Sequence, residues 1–164
     1  MSNAAVSEHI RALQDPDIQR RIQAVSDLVA IGQPALEPLI AGLPNSSAEA
    51  RWRAIVALGW IGDPKAIEAL LTGLGDSVWE VRQNAAWALG QIADTRTAEA
   101  LLKAMHDQDE QVTVLAAYAL ARMGDIQRLQ SALLDEHELA RRAASAGLHL
   151  LLNNYDSVRH HQTN

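Results

Sequence analysis

Apolar positions recur along this chain with a helical period, and the recurrence itself repeats. Ala50, Ala54, Leu58 and Ile61 fall on one helix face. Val81, Ala85, Leu89 and Ile92 repeat that lane, and Val112, Ala116, Leu120 and Met123 repeat it again. Spacings of three and four residues stack side chains along one side of a helix. Each lane ends at a similar turn: Gly62-Asp63-Pro64, Ala93-Asp94-Thr95, Gly124-Asp125 and, more loosely, Gly32-Gln33-Pro34. Glycine suits the left-handed residue that stops a helix, aspartate caps the next one, and proline fits its first turn. A shorter apolar stretch follows, as in Ile67, Leu70, Leu71 and Leu74, and a polar turn such as Gly75-Asp76-Ser77 restarts the cycle. The anchor leucines 28, 58, 89, 120 and 148 give a period of about 30 residues, enough for two short helices and two turns.

The pattern predicts helices over 5–13, 16–31, 35–43, 48–61, 65–74, 78–92, 96–106, 110–123, 126–135 and 137–152. They alternate between a longer helix A and a shorter helix B. Segment 5–13 matches the B helix at 66–74, and 137–152 is a lone A helix, so half repeats stand at both ends. Residues 5–152 read as one domain, 1–4 as a cloning remnant (Ser2-Asn3-Ala4), and 153–164 as a polar tail. A composition rich in Ala and Leu, with 4% aromatics and no Phe, agrees with an all-α chain.

Val81-Arg82-Gln83-Asn84-Ala85-Ala86-Trp87-Ala88-Leu89-Gly90-Gln91-Ile92 and Gly62-Asp63-Pro64-Lys65-Ala66-Ile67-Glu68-Ala69-Leu70 resemble the short HEAT-like repeats named after phycobilisome lyases. The resemblance implies a right-handed α-solenoid (an α-α superhelix) of about four two-helix repeats. Ala93 in place of Gly, Thr113 in place of Arg, Asp27 in place of a small residue, and the last helix depart from the pattern. Such repeats serve lyases, scaffolds and hydroxylases alike, so function must be argued from side chains.

Small residues flank the core lane: Ala57, Ala88 and Ala119 on one side, Gly59, Gly90 and Ala121 on the other. They predict close approach of neighbouring repeats. The opposite lane reads Ala48, Trp52, Val56, Trp60, then Trp79, Gln83, Trp87, Gln91, then Glu110, Val114, Tyr118, Arg122. All 4 tryptophans of the chain fall on it. Aligned side by side, these lanes predict an exposed aromatic surface, which the resemblance places on the concave side. Arg53, Glu80, Gln91 and Arg122 form its polar rim. Exposed Trp and Tyr mark recognition surfaces because they bury much area at little entropic cost. Arg21, Arg51, Arg82 and Arg141 recur near the start of A helices and are expected to tie repeats together through Asp63, Asp94 and Asp125.

Other chemistry is thin. A net charge of −6 argues against duplex nucleic acid, whose binding rests on Lys and Arg. Without cysteine there is no disulfide, thiol nucleophile or Cys-ligated metal. No apolar run approaches the ~18 residues of a membrane span, and the chain reads as cytoplasmic. The repeat family includes a di-iron hydroxylase with His-Glu pairs on its A helices. Here those positions hold Trp52-Arg53, Gln83-Asn84 and Val114-Leu115, and the single pair His137-Glu138 reads as a helix cap. No phosphate-binding glycine loop or Ser-His-Asp arrangement stands out, and no cofactor is expected.

The expected function is a non-catalytic module recognising a protein or peptide through Trp52, Arg53, Val56, Trp60, Trp79, Gln83, Trp87, Gln91, Val114, Tyr118 and Arg122. An alternative is a relative of the bilin lyases, with a tetrapyrrole stacked in the same groove and its propionates paired to Arg53 or Arg122. A third is a HEAT-like DNA glycosylase. Leu148, Leu150, Leu151 and Leu152 on the last helix predict weak self-association, or cover by the tail around Tyr155 and Val158.

Overall fold

The computed structural model describes the backbone of residues 3–161 and the side chains of residues 4–153. Among these residues the secondary structure is helical, with no strand. The A helices are α2 (Ile18–Ile31), α4 (Ala48–Ile61), α6 (Trp79–Ile92), α8 (Glu110–Arg122) and α10 (Glu138–His161). The B helices are α1 (Asn3–Ala12), α3 (Gln33–Gly42), α5 (Ile67–Gly73), α7 (Ala98–Ala104) and α9 (Ile126–Ala132). A helices pack on A helices, and each B helix from α5 onward packs against the A helix that follows it. The molecule is therefore an all-α solenoid of two layers. Helices α5, α7 and α9 are shorter than the sequence suggests, and α5 and α7 are entered through 3-10 turns at Pro64–Ala66 and Thr95–Thr97. The backbone of α10 runs on as helix to His161, into the stretch expected to be a polar tail. The expected cover from Tyr155 and Val158 lies outside the described side chains.

Capping follows the sequence. Asp17, Ser47 and Asp109 accept backbone N–H bonds at the starts of α2, α4 and α8. Asp63, Asp94 and Asp125 do the same where the chain enters α5, α7 and α9. Gly62 ends α4 at φ 70°, a left-handed conformation. Ala93 ends α6 in the same conformation, φ 55°, where a Cβ is disfavoured.

The expected core lanes are buried: Leu58, Leu89 and Leu120 are closed off from solvent, as are Ala54, Ala85 and Ala116, with Leu70, Leu101 and Leu129 opposite them. The flanks set the distance between repeats. A Cβ added to Gly90 would lie 2.9 Å from Ala119 Cβ, and one added to Gly59 would lie 2.9 Å from Ala88 Cβ. Both are closer than side-chain carbons approach, so α4, α6 and α8 are nearly in backbone contact.

The arginine row is a structural ladder, as expected, but its partners differ from the expectation. Arg51 Nε and Nη2 donate to Asp76, at 2.8 and 3.0 Å, and Arg82 Nε and Nη2 donate to Asp107, at 2.7 and 2.8 Å. These aspartates sit in the polar turn before the next A helix. Asp63, Asp94 and Asp125 are occupied as caps, and Asp63 reaches the preceding repeat by accepting from Gln33. Each ladder arginine also holds its own turn, Arg51 through Ser46 O and Arg82 through the carbonyls of Asp76 and Ser77. Arg21 and Arg141 make only such carbonyl bonds, and Arg21 Nε is buried without a partner. Asn45 occupies the place, three residues before the A helix, where Asp76 and Asp107 stand.

Three outcomes follow. Leu89→Ala should cost about 2–5 kcal/mol in urea unfolding, as for other buried large-to-small changes. Ala93→Gly should stabilise the protein by about 0.5–1 kcal/mol, because it relieves the left-handed strain; a loss instead would show that α6 ends there without strain. The Arg82 guanidinium holds the Asp107 carboxyl below the usual carboxylate range, against the cost of its burial. A depressed carboxylate stabilises the fold fully above its unfolded pKa of about 3.9 and loses that contribution as pH falls through the folded value. Asp107→Asn should therefore cost about 1–3 kcal/mol at pH 7. The gap between the two stability curves should close as the pH falls below about 4; a pH-independent gap would mean that the pair is not ionic.

Candidate partner-binding surface

Neighbouring A helices approach far more closely than neighbouring B helices. The outer face of the A layer is the one turned away from the B helices. The aromatic lane lies on this face. Trp60 is 61% and Trp79 41% exposed, and Val114 is 40% exposed. The lane also extends beyond the expected residues: Ile18 and Ile22 of α2 are 58% and 56% exposed, and Leu150 of α10 is 42% exposed. These occupy the lane positions of their own helices, aligned with Trp79, Trp52 and Trp60. Ile18 and Ile22 were legible by register, but a search for aromatics passes over them.

The four tryptophans are not equivalent. Trp60 and Trp87 meet edge to face, with ring centroids 5.3 Å apart at 63°. Trp87 is half-buried and packed on the core, and its ring would lie 2.6 Å from a Cβ at Gly59. That glycine makes the hollow into which Trp87 fits. Trp52 is half-buried too, with the Arg53 guanidinium 4.3 Å above its ring. The expectation of four freely exposed tryptophans is thus corrected: Trp60 and Trp79 are exposed, while Trp52 and Trp87 form the floor. Val56, Gln83, Gln91 and Tyr118 are half-buried between them, and Arg122 and Glu110 stand at the α8 edge.

Arg53 is less available than its rim position suggests. Its Nη1 donates to Leu13 O at 3.2 Å and to Glu49 O at 2.8 Å. Burial, then the charge of Arg21, lowers its pKa. Arg122 Nε donates to Gly90 O at 2.8 Å, anchoring α8 to α6. Between α4 and α6 lies a groove of about 460 Å3, lined by Trp52, Arg53, Glu49, Glu80, Gln83 and Asn84 among others. Asn84 Nδ2 donates to Glu80 O at 2.7 Å.

The fold assembles one cluster that spacing alone did not. Where Thr113 replaces the ladder arginine, its hydroxyl bonds to the carbonyls of Asp107 and Asp109. Asp135 is held instead by His106 Nε2 at 2.8 Å, and the His137 ring lies 5.7 Å from that of His106. His137 is therefore more than a solvated cap: its Nδ1 is buried without a partner. Among the described residues no group of three His, Asp or Glu side chains has metal-binding geometry, and no helix is long and apolar enough to cross a membrane. On α10, Leu148 and Leu151 pack on the core while Leu150 and Leu152 are exposed.

Comparison with known proteins agrees with this architecture. A chain from the complex of CpcE and CpcF of phycocyanin lyase from Nostoc sp. PCC7120 superposes with a TM-score of 0.77 at 23% identity, covering 90% of this chain and 99% of that one. Human deoxyhypusine hydroxylase superposes with a TM-score of 0.62 at 25% identity, covering 88% of this chain and 62% of that one. A designed armadillo repeat protein in complex with the peptide (KR)4 gives a TM-score of 0.55 at 23% identity, covering 85% and 78%. No curated protein matches by sequence. The sequence profile of HEAT repeats matches residues 7–82 and again 67–149, and the chain belongs to the HEAT-repeat family.

Proposed function

We propose that this protein is a non-catalytic binding module that holds a protein or peptide segment across the A layer. One observation carries the reading: large apolar side chains are exposed at matching positions of successive A helices, from Ile18 and Ile22 through Trp60, Trp79 and Val114 to Leu150. Exposed apolar side chains scattered singly are ordinary, whereas an aligned row across one layer supports a recognition role. Trp60 and Trp79 are its anchors, and Trp52 and Trp87 are the stiff base beneath them. Solenoids use such surfaces because each repeat adds one more contact at a fixed spacing. The likeness to a chain of a two-protein lyase complex and to a peptide-bound armadillo design supports a protein or peptide partner.

The likeness to the phycocyanin lyase chain also favours a second reading, in which the same surface accepts a tetrapyrrole. Trp60 and Tyr118 would offer faces for stacking. Arg53 suits propionates poorly, since its Nη1 is already shared between two carbonyls, which leaves Arg122 as the anchoring cation. Bilin-induced absorbance on mixing would select this reading over the first.

The test separates anchors from floor. Trp60→Ala with Trp79→Ala should cost about 1 kcal/mol of unfolding stability, since Trp60 is 61% and Trp79 41% exposed and the loss includes the edge-to-face contact of Trp60 with Trp87. Partner capture from the native cell should be lost in that variant. Trp87→Ala should cost about 1–3 kcal/mol, since it empties the hollow above Gly59. Capture that survives the double substitution at full strength would end the reading.

A further inference from the structure

We infer a second binding site, on the B layer: the cavity between α3 and α5 takes a small, uncharged, apolar molecule. This site is separate from the A-layer surface, and neither reading depends on the other.

The cavity follows from the packing of the two layers. Helices α4 and α6 are drawn together at Gly59, whereas α3 and α5 behind them barely touch. Side chains do not close the gap. On the α5 side it is lined by Ala69 and Gly73, which are too small to reach Ile40 of α3 or Leu43 just beyond it. A space of about 500 Å3 is left, backed by Ile55 of α4 and Val81 of α6, both closed off from solvent. The next gap, between α5 and α7, is lined by Lys103 and His106 and by no residue of an A helix. Only the first gap is thus apolar down to the core. Concave, mostly apolar spaces of roughly 300–1,000 Å3 are where proteins hold small molecules.

The polar groups at the border set the charge of the ligand. Arg51 donates from Nε and Nη2 to Asp76 and from Nη1 to Ser46 O. Asp76 also accepts from the Val78 N–H, and Thr72 Oγ1 donates to Glu68 O. The Arg51–Asp76 pair therefore presents no net charge to the cavity. The Glu68 carboxylate stands at the exposed rim, in water and within the field of Arg96. A charged ligand would lose hydration inside and would have to break the Arg51–Asp76 pair to regain a partner. An uncharged apolar ligand gains by burial against Ile40, Leu43 and Ala69 and breaks no bond.

The surroundings set its size. No large aliphatic or aromatic side chain of α3 or α5 is exposed, in contrast to the row on the A layer. A protein partner would find one hollow with no apolar rim to seal around it. The ligand must draw its affinity from inside the cavity, which a compact molecule does.

The experiment titrates the full chain with N-phenyl-1-naphthylamine, an uncharged dye whose emission rises when it leaves water. Saturable binding at one site per chain is expected. Octanol should displace the dye about tenfold more effectively than octanoate or octylammonium. Ala69→Phe fills the space from α5 and should weaken dye binding about tenfold or more, and the smaller Ala69→Leu should weaken it less, with urea unfolding to show that both are folded. Trp60→Ala with Trp79→Ala should leave the dye affinity unchanged. No saturable binding, or equal displacement by a charged competitor, would overturn the inference. So would undiminished affinity in both Ala69 variants, or loss of the dye in the tryptophan variant, because either puts the dye outside this cavity. None of these results bears on partner capture by the A layer.

Discussion

At Gly59 and Gly90 neighbouring A helices meet with no room for a methyl group: added Cβ atoms would lie 3.0 Å from the Cα atoms of Ala88 and Ala119. Every larger feature of the molecule depends on this contact. It brings α4, α6 and α8 closer together than the B helices behind them. It also fixes the lateral spacing of the exposed side chains, so that residues on different helices line up as one row. A larger residue at either glycine would have to push two helices apart, and the row would lose its register along with the core.

The arginine ladder works with this contact at the other edge of the same helices. Close packing sets the distance between A helices but leaves them free to slide along one another. Arg51 and Arg82 oppose sliding, because each guanidinium is tied both to its own turn and to the carboxylate of the next. The ladder is bounded. Arg21 has no carboxylate to meet, since Asn45 stands in its place, and Asp135 has no arginine, since Thr113 stands there. The two complete rungs tie α4 to the turn before α6 and α6 to the turn before α8, and α4 and α6 are the helices that carry all four tryptophans.

The fold was legible because it rests on period. The lanes ending in Leu58, Leu89 and Leu120 require helices, and the Gly-Asp turns require breaks, whatever the other residues do. The ladder was misread because the sequence holds two periodic series of aspartates, and only helix length separates them. Arg51 lies in the first turn of α4 and Asp63 just past its last turn, about 18 Å along the axis at 1.5 Å per residue. That distance alone excludes the pairing first expected and leaves Asp76. Ala93 shows the opposite case, in which the repeat overrides a local preference: the neighbouring copies place glycine there, and the chain adopts the left-handed conformation without it.

The surface was legible in position but not in depth. Register puts Trp52, Trp60, Trp79 and Trp87 on one lane, yet their burial is set by neighbours on other helices. Trp87 sinks because Gly59 leaves a hollow in α4, and Trp52 is covered because Arg53 folds over it. The same reasoning explains why Ile18 and Ile22 matter although neither is aromatic. Among the described residues no A helix lies on the far side of α2, and both side chains are exposed. A partner that touches only Trp60 and Trp79 would leave these two isoleucines in water, whereas one that crosses the whole layer covers both ends. The length of the exposed row, from α2 to α10, therefore argues for an elongated segment over a compact ligand, because only an elongated segment removes all of that apolar area from solvent.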